Sequence, residues 1–325
     1  MDWAGISLLT VGLGALQYVL EEGNADDWFN DAWILRLSIV SGLCLIGMVW
    51  WELSPRNPHP VVNFRVLKNR ELAASIFLFV ALGFGLYGGV FIFPLFTQSL
   101  LHFTPTETGL ALLPGGLATA TTALICGRLL TGARPLVDPR ILIAIGVAIF
   151  VVAMWDLGHL TTNSGEPDVR IALIVRGAGL GFLFTPINNV AYASLKPSEA
   201  QQASGLINLA RQLGGSFGIA ILATYVTVHT QIHRVNLLSY VYAGRPAVDD
   251  RLNALTANLV AHGYGPDAAH RGALALLDQQ LMRQAAMLSY NDAWMLLLLT
   301  FVAVSPAILM LRGRRGSGAS AVDAH

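Results

Sequence analysis

Charge is what this sequence has least of. Only 12% of its 325 residues are Asp, Glu, Lys or Arg, about half the share of a soluble domain. So little polarity cannot cover a water-facing surface, and a polytopic membrane protein is the simplest reading. Twenty basic and twenty acidic residues cancel, which removes the basic surplus that nucleic-acid partners require. There are two cysteines, Cys44 and Cys126. Both lie in apolar runs, so neither a disulfide framework nor thiolate metal spacing is available. The eight histidines form no HExxH pair, and no C-x-x-C accompanies them. No GxSxG elbow, no GxxxxGK[ST] phosphate loop and no acidic pair in mid-membrane occurs. Hydrolytic catalysis and an ATP-driven pump within this chain are therefore not expected, nor is any metal or cofactor. Met1-Asp2-Trp3 carries no basic region, so a cleaved signal peptide is not expected either.

What the chain does have is apolar length. Eight runs approach the roughly 20 residues needed to cross a bilayer: about 3–20, 33–51, 72–98, 107–130, 141–160, 170–193, 203–229 and 292–311. Arg56, Arg65, Lys68 and Arg70 cluster in the connection 52–71, and Arg128, Arg134 and Arg140 in 128–140. Lys196 and the tail residues Arg312, Arg314 and Arg315 follow. Regions 21–32, 101–106 and 161–169 hold no Lys or Arg and carry Glu21, Glu22, Asp26, Asp27, Asp31, Glu166 and Asp168 instead. This alternation predicts eight spans with both termini in the cytoplasm of a plasma (inner) membrane. The segment 231–290 is too polar to span. Leu274, Leu277, Leu281, Ala285 and Leu288 have helical spacing, so an amphipathic helix on the outer membrane surface or against the helix ends is one expectation. A variable extracytoplasmic loop is the other.

The most distinctive stretch is Ser204 to Gly218. Ser204, Asn208, Arg211, Gly215 and Gly218 step by four, three, four and three, which places them on one helical face. A charge facing hydrocarbon costs about 2.5–3.5 kcal/mol on the insertion scale, so that face is expected to meet protein or a water-filled cavity. Arg176 in the sixth span and Asp156 near the outer end of the fifth are the other ionisable groups at depth. A buried anchoring role competes with a cavity role for both arginines. Gln98, Asn188, Asn189 and Tyr192 either line a polar cavity or bond between helices. Gly83, Gly85, Gly88, Gly89 and Pro94, then Pro114-Gly115-Gly116, then Gly177, Gly179, Gly181 and Pro186 concentrate small or helix-breaking residues in spans three, four and six. Tight packing explains each alone; together they suggest helices that slide or bend. Asp138 with Pro139 has the chemistry of a helix start.

The chain resembles the fourteen-helix drug:proton antiporter branch of the major facilitator superfamily, the EmrB/QacA type. The resemblance is carried by Asp2-Trp3-Ala4-Gly5 with Gly12-x-Gly14-Ala15-Leu16, by Trp51-Glu52, and by the run Pro58 to Leu67. Gly109 to Gly116 continues it, with Gly127-Arg128 and Asp138 and Arg140, which look like a degenerate copy of the superfamily's loop motif. Arg176-Gly177-x-Gly179-x-Gly181 with Pro186 follows. Asn208-x-x-Arg211-Gln212-x-Gly214-Gly215-Ser216-x-Gly218 is the most specific part.

The resemblance implies an all-α protein with a central inserted helix pair and linker (1–70), a C-terminal six-helix bundle (71–312, including the loop 231–290) and a cytoplasmic tail (313–325). It implies proton-coupled efflux of drugs or other amphipathic small molecules. Asn208, Arg211, Gln212, Gly215, Arg176 and Asn189 are then expected at a central cavity or at the interface between two halves. Gly177, Gly179, Gly181, Gly214 and Gly218 are expected as packing glycines. Only the second part of the family pattern is covered. The six preceding helices, with the residues tied to proton coupling, are absent, so a separately encoded N-terminal half, or a second copy of the chain, is an expected partner. A periplasmic adaptor on 231–290 is a further expected partner. The alternative is a non-transporting remnant or one subunit of a split transporter; a membrane-bound enzyme finds no catalytic cluster to support it.

Overall fold

Helix starts are set by short polar side chains placed just ahead of apolar runs. In the computed structural model, which describes residues 2–54, 69–131, 137–193, 197–242 and 244–311 (the side chains of 197–202 aside), Asp2 accepts from the Gly5 amide at 2.8 Å and opens α1, Trp3–Glu22. Asp31 accepts from Trp33 and Ile34 amides and opens α2, Ala32–Leu53, after a single 3-10 turn, Trp28–Asn30. Asn69 caps α3, Arg70–Leu100. Thr104 and Glu107 form a reciprocal capping box on α4, Pro105–Leu130. Asp138, followed by Pro139, accepts from the Arg140 amide at 2.9 Å and opens α5, Pro139–Leu157. Then come α6, Glu166–Ala193; α7, Pro197–Leu238; α8, Pro246–Ala261; and α9, Pro266–Val304, which tightens into a 3-10 turn, Ser305–Met310.

Eight of these helices are long and apolar enough to cross a membrane, all except α8. The protein is an all-α polytopic membrane protein. The 231–290 region, expected as an amphipathic helix on the outer membrane surface or against the helix ends, or as a variable loop, gives Leu274 to Leu288 no helix of their own. Its first residues extend α7, and Leu274 to Met287 lie inside α9, continuous with the last span. The reason is local: no Pro or Gly falls between Leu274 and Val304, so nothing stops the helix at the membrane boundary. α8 folds back along this extension, where Arg234 pairs with Asp278 and Arg251 bonds Gln280. The basic connection 55–68, residues 132–136 with Arg134, Lys196, and the tail from Arg312 onward lie outside the described residues.

α3 is the centre of the bundle. It lies against α7 along most of its length and also touches α6 and α9, while α4 and α5 flank α6. Phe79, Phe93, Phe96, Phe150 and Trp294 are fully buried. Phe150 stacks on Phe301 at 4.1 Å between centroids, and Phe96 meets Tyr290 edge-on at 5.6 Å. The α1–α2 pair closes on itself through Ser41, which donates to the Gly12 carbonyl at 2.9 Å, and through Trp51, whose indole donates to Asp2 at 3.0 Å. It touches the bundle at α7, where the Ser216 hydroxyl donates to Gln17.

Candidate functional site: two arginines at bilayer depth

The sequence groups polar and glycine residues of α6 and α7 together; folding separates them into a packed set and an open set. Gly214 and Gly218 of α7 lie directly on the backbone of Val80 and Phe84 in α3, and Gly83 of α3 lies on the Arg211 carbonyl. A methyl group at Gly214 would collide with the Val80 carbonyl, which cannot swing aside as a side chain can. Gly215 is covered by the Tyr87 ring. Gly215 therefore faces α3 inside the bundle, not an open cavity. In α6, Gly177 and Gly181 lie against α4 and Gly179 against Gly146 and Phe150 of α5. The Thr119 hydroxyl sits 2.9 Å from the Gly177 carbonyl oxygen and reinforces that contact.

Arg176 belongs to the packed set. It lies ten residues into α6, about 15 Å from the helix start at 1.5 Å per residue. It is 4% exposed. Its Nη2 donates to the carbonyl oxygens of Gly85 (3.3 Å) and Leu86 (3.2 Å) in α3, and Gly89 leaves the room its guanidinium fills. Its Nε is buried without a partner among the described residues. The charge is held by main-chain dipoles of a neighbouring helix, as an anchor between α3 and α6.

Arg211 belongs to the open set. It is half-buried; its Nη2 donates to Asn208 at 2.9 Å, and its guanidinium carbon lies 5.4 Å from the Phe184 ring centroid on α6. Asn208, Gln212 and Asn189 are exposed, and Tyr192 is 37% exposed beside them in sequence on α6. Asn188 turns back to its own helix and donates to the Phe184 carbonyl at 2.7 Å. The result is a polar strip on α7, Asn208, Arg211 and Gln212, whose guanidinium meets the Phe184 ring of α6. Gln98 and Asp156 are exposed elsewhere, on α3 and α5.

In the loop motif, Gly127 meets no neighbour and Arg128 is exposed. Asp138 caps α5, and Arg140 lines a cleft of about 360 Å³ with Asn69, Glu71 and Leu311. Two links escaped the sequence reading. Gln17 on α1 accepts from Ser216 on α7, and His233 on α7 meets Asp292 on α9 at 2.7 Å. Neither pair follows a local spacing rule. The only hint for the first was a lone amide in an otherwise apolar span.

Comparison with known proteins gives the family. The family model described as Major Facilitator Superfamily matches residues 6–219. Multidrug export protein EmrB of Haemophilus influenzae is 31% identical over 76% of this chain and 47% of its own length. Multidrug export protein EmrB of Escherichia coli is 26% identical over 100% of this chain and 61% of its own length. Fatty acid resistance protein FarB of Neisseria gonorrhoeae is 23% identical over 98% of this chain and 60% of its own length. The chain thus spans about half to three-fifths of the length of the curated relatives it matches.

Proposed function

Since this chain belongs to the major facilitator superfamily, we propose that it supplies the inserted helix pair and the C-terminal six-helix bundle of a proton-coupled exporter of amphipathic small molecules. It acts opposite a second six-helix half in the inner membrane, with its termini in the cytoplasm. The observation that carries this reading is the half-exposed Arg211 flanked by exposed Asn208 and Gln212. Arg211 lies fourteen residues beyond Pro197, the start of α7, or about 21 Å along the axis. Such a set is unfavourable against lipid tails. It is stabilised if α6 and α7 border an aqueous path or a partner half, as when two halves rock about a midplane site. Phe184 supplies aromatic surface beside the charge, which suits substrates with an apolar body and a polar end. The multidrug and fatty-acid names of the relatives agree with that chemistry. The extended α7–α8–α9 projection is the natural contact for a periplasmic adaptor.

The test is reconstitution of this chain alone in vesicles with a pH gradient and ethidium. No gradient-dependent dye movement is expected until a six-helix N-terminal half is co-reconstituted. Robust transport by this chain alone contradicts the need for that half.

A further inference from the structure

The outward extension of α9 creates a cavity that the efflux reading leaves unused. We propose that the cavity between the ends of α3, α7 and α9 that lie away from the basic connections binds a small anionic amphiphile. Its volume is about 660 Å³, within the range of small-molecule sites, about 300–1,000 Å³. Its floor is apolar, formed by Leu100, Val226 and Ala286, with Met282 as an adaptable wall. Its rim carries amides, among them Gln231 and Gln279. That division matches a molecule with an apolar body and a hydrogen-bonding end.

The sign of the charge follows from Arg283. Among the described residues no carboxylate lines the cavity, whereas Arg283 does. Arg283 forms no ion pair among the described residues. Its Nη2 donates to the Leu100 carbonyl at 2.7 Å and lies 3.5 Å from the Thr162 carbonyl oxygen. Its Nε is buried with no hydrogen-bond partner among the described residues. The Leu100 carbonyl is at the C-terminus of α3, so the helix dipole holds the guanidinium in place. A partial dipole does not cancel a full charge. A half-buried cation on the wall of a cavity without carboxylates favours an anionic occupant and disfavours a cationic one. Half of this lining comes from residues of α9 N-terminal to the last span, which gives the extension a role beyond connecting two helices.

This assignment does not depend on efflux, and its test reads binding. The full chain in lipid nanodiscs is titrated with 11-(dansylamino)undecanoic acid and with a dansyl-alkylamine of equal length, following dansyl emission against empty nanodiscs. Saturable binding of the acid is expected, at least tenfold tighter than the amine. Ala286→Trp, which fills the floor, is expected to abolish it. The double change Gln231→Glu with Gln279→Glu, both at exposed positions, is expected to weaken it at least tenfold while the melting temperature holds. Equal binding of the two probes overturns the proposal. So does unchanged binding of the acid in both variants.

Discussion

Arg176 and Arg211 are both guanidinium groups within helices long and apolar enough to cross a membrane, yet their surroundings are opposite. Arg176 is 4% exposed and donates to two main-chain carbonyls of α3. Arg211 is half-buried and, among the described residues, holds an amide on its own helix and the face of one aromatic ring on α6. The difference shows how the same residue type serves two ends. Where carbonyl dipoles and glycine-made space surround it, an arginine fastens helices. Where its neighbours are exposed amides, it marks a surface that something polar must cover. The glycines belong to the first case. Gly83, Gly89 and Gly214 make room for backbone or for a buried charge.

That contrast can be broken by substitution. The largest effect is expected at the backbone contact between α3 and α7. Gly214→Leu drives a side chain into the Val80 carbonyl and is expected to cost about 3 kcal/mol or more, seen as loss of folded protein in detergent. Gly215→Leu first meets the Tyr87 side chain rather than backbone, so it is expected to be milder in stability while crippling efflux in a complete transporter. Equal destabilisation by the two would erase the distinction between backbone and side-chain contact.

Arg176→Ala comes next. It empties a buried volume and removes the links to Gly85 and Leu86, with an expected cost of about 2–3 kcal/mol in thermal unfolding. Arg176→Met, which refills the space, is expected to recover part of it. The smallest stability effect is expected for Arg211→Ala, under about 1 kcal/mol, because one ring contact and one local hydrogen bond are lost. Its effect falls on transport instead, with at least a tenfold drop in efflux when an N-terminal half is present. A large loss of stability at Arg211 with normal efflux would reverse the assignment.

Much of the fold was legible because membrane helices announce themselves by length and apolarity. The eight spans and the cap at Asp138 follow from rules acting within a few residues. What was not legible required knowing which helices become neighbours. The step of three and four that placed Gly215 and Arg211 on one face was correct as helical geometry. It could not tell that α3 covers one side of that face through Val80, Phe84 and Tyr87 while Asn208 stays open. Arg176 was equally ambiguous, since its partners are main-chain carbonyls that leave no mark in sequence. The extension of α9 was missed for a different reason: polarity ends a membrane span without ending a helix.

The central claim is that the Asn208–Arg211–Gln212 strip faces water or a protein partner and that the Arg176 neighbourhood is dry. It is tested most directly by thiol labelling in lipid vesicles, on a background with Cys44→Ser and Cys126→Ser. Asn208→Cys is compared with Ala172→Cys, a position in α6 that is fully buried. A membrane-impermeant maleimide is expected to label Asn208→Cys at least tenfold faster, and adding the N-terminal half is expected to slow it. An Asn208→Cys as unreactive as Ala172→Cys in the chain alone would mean that lipid covers the strip, and would contradict the account.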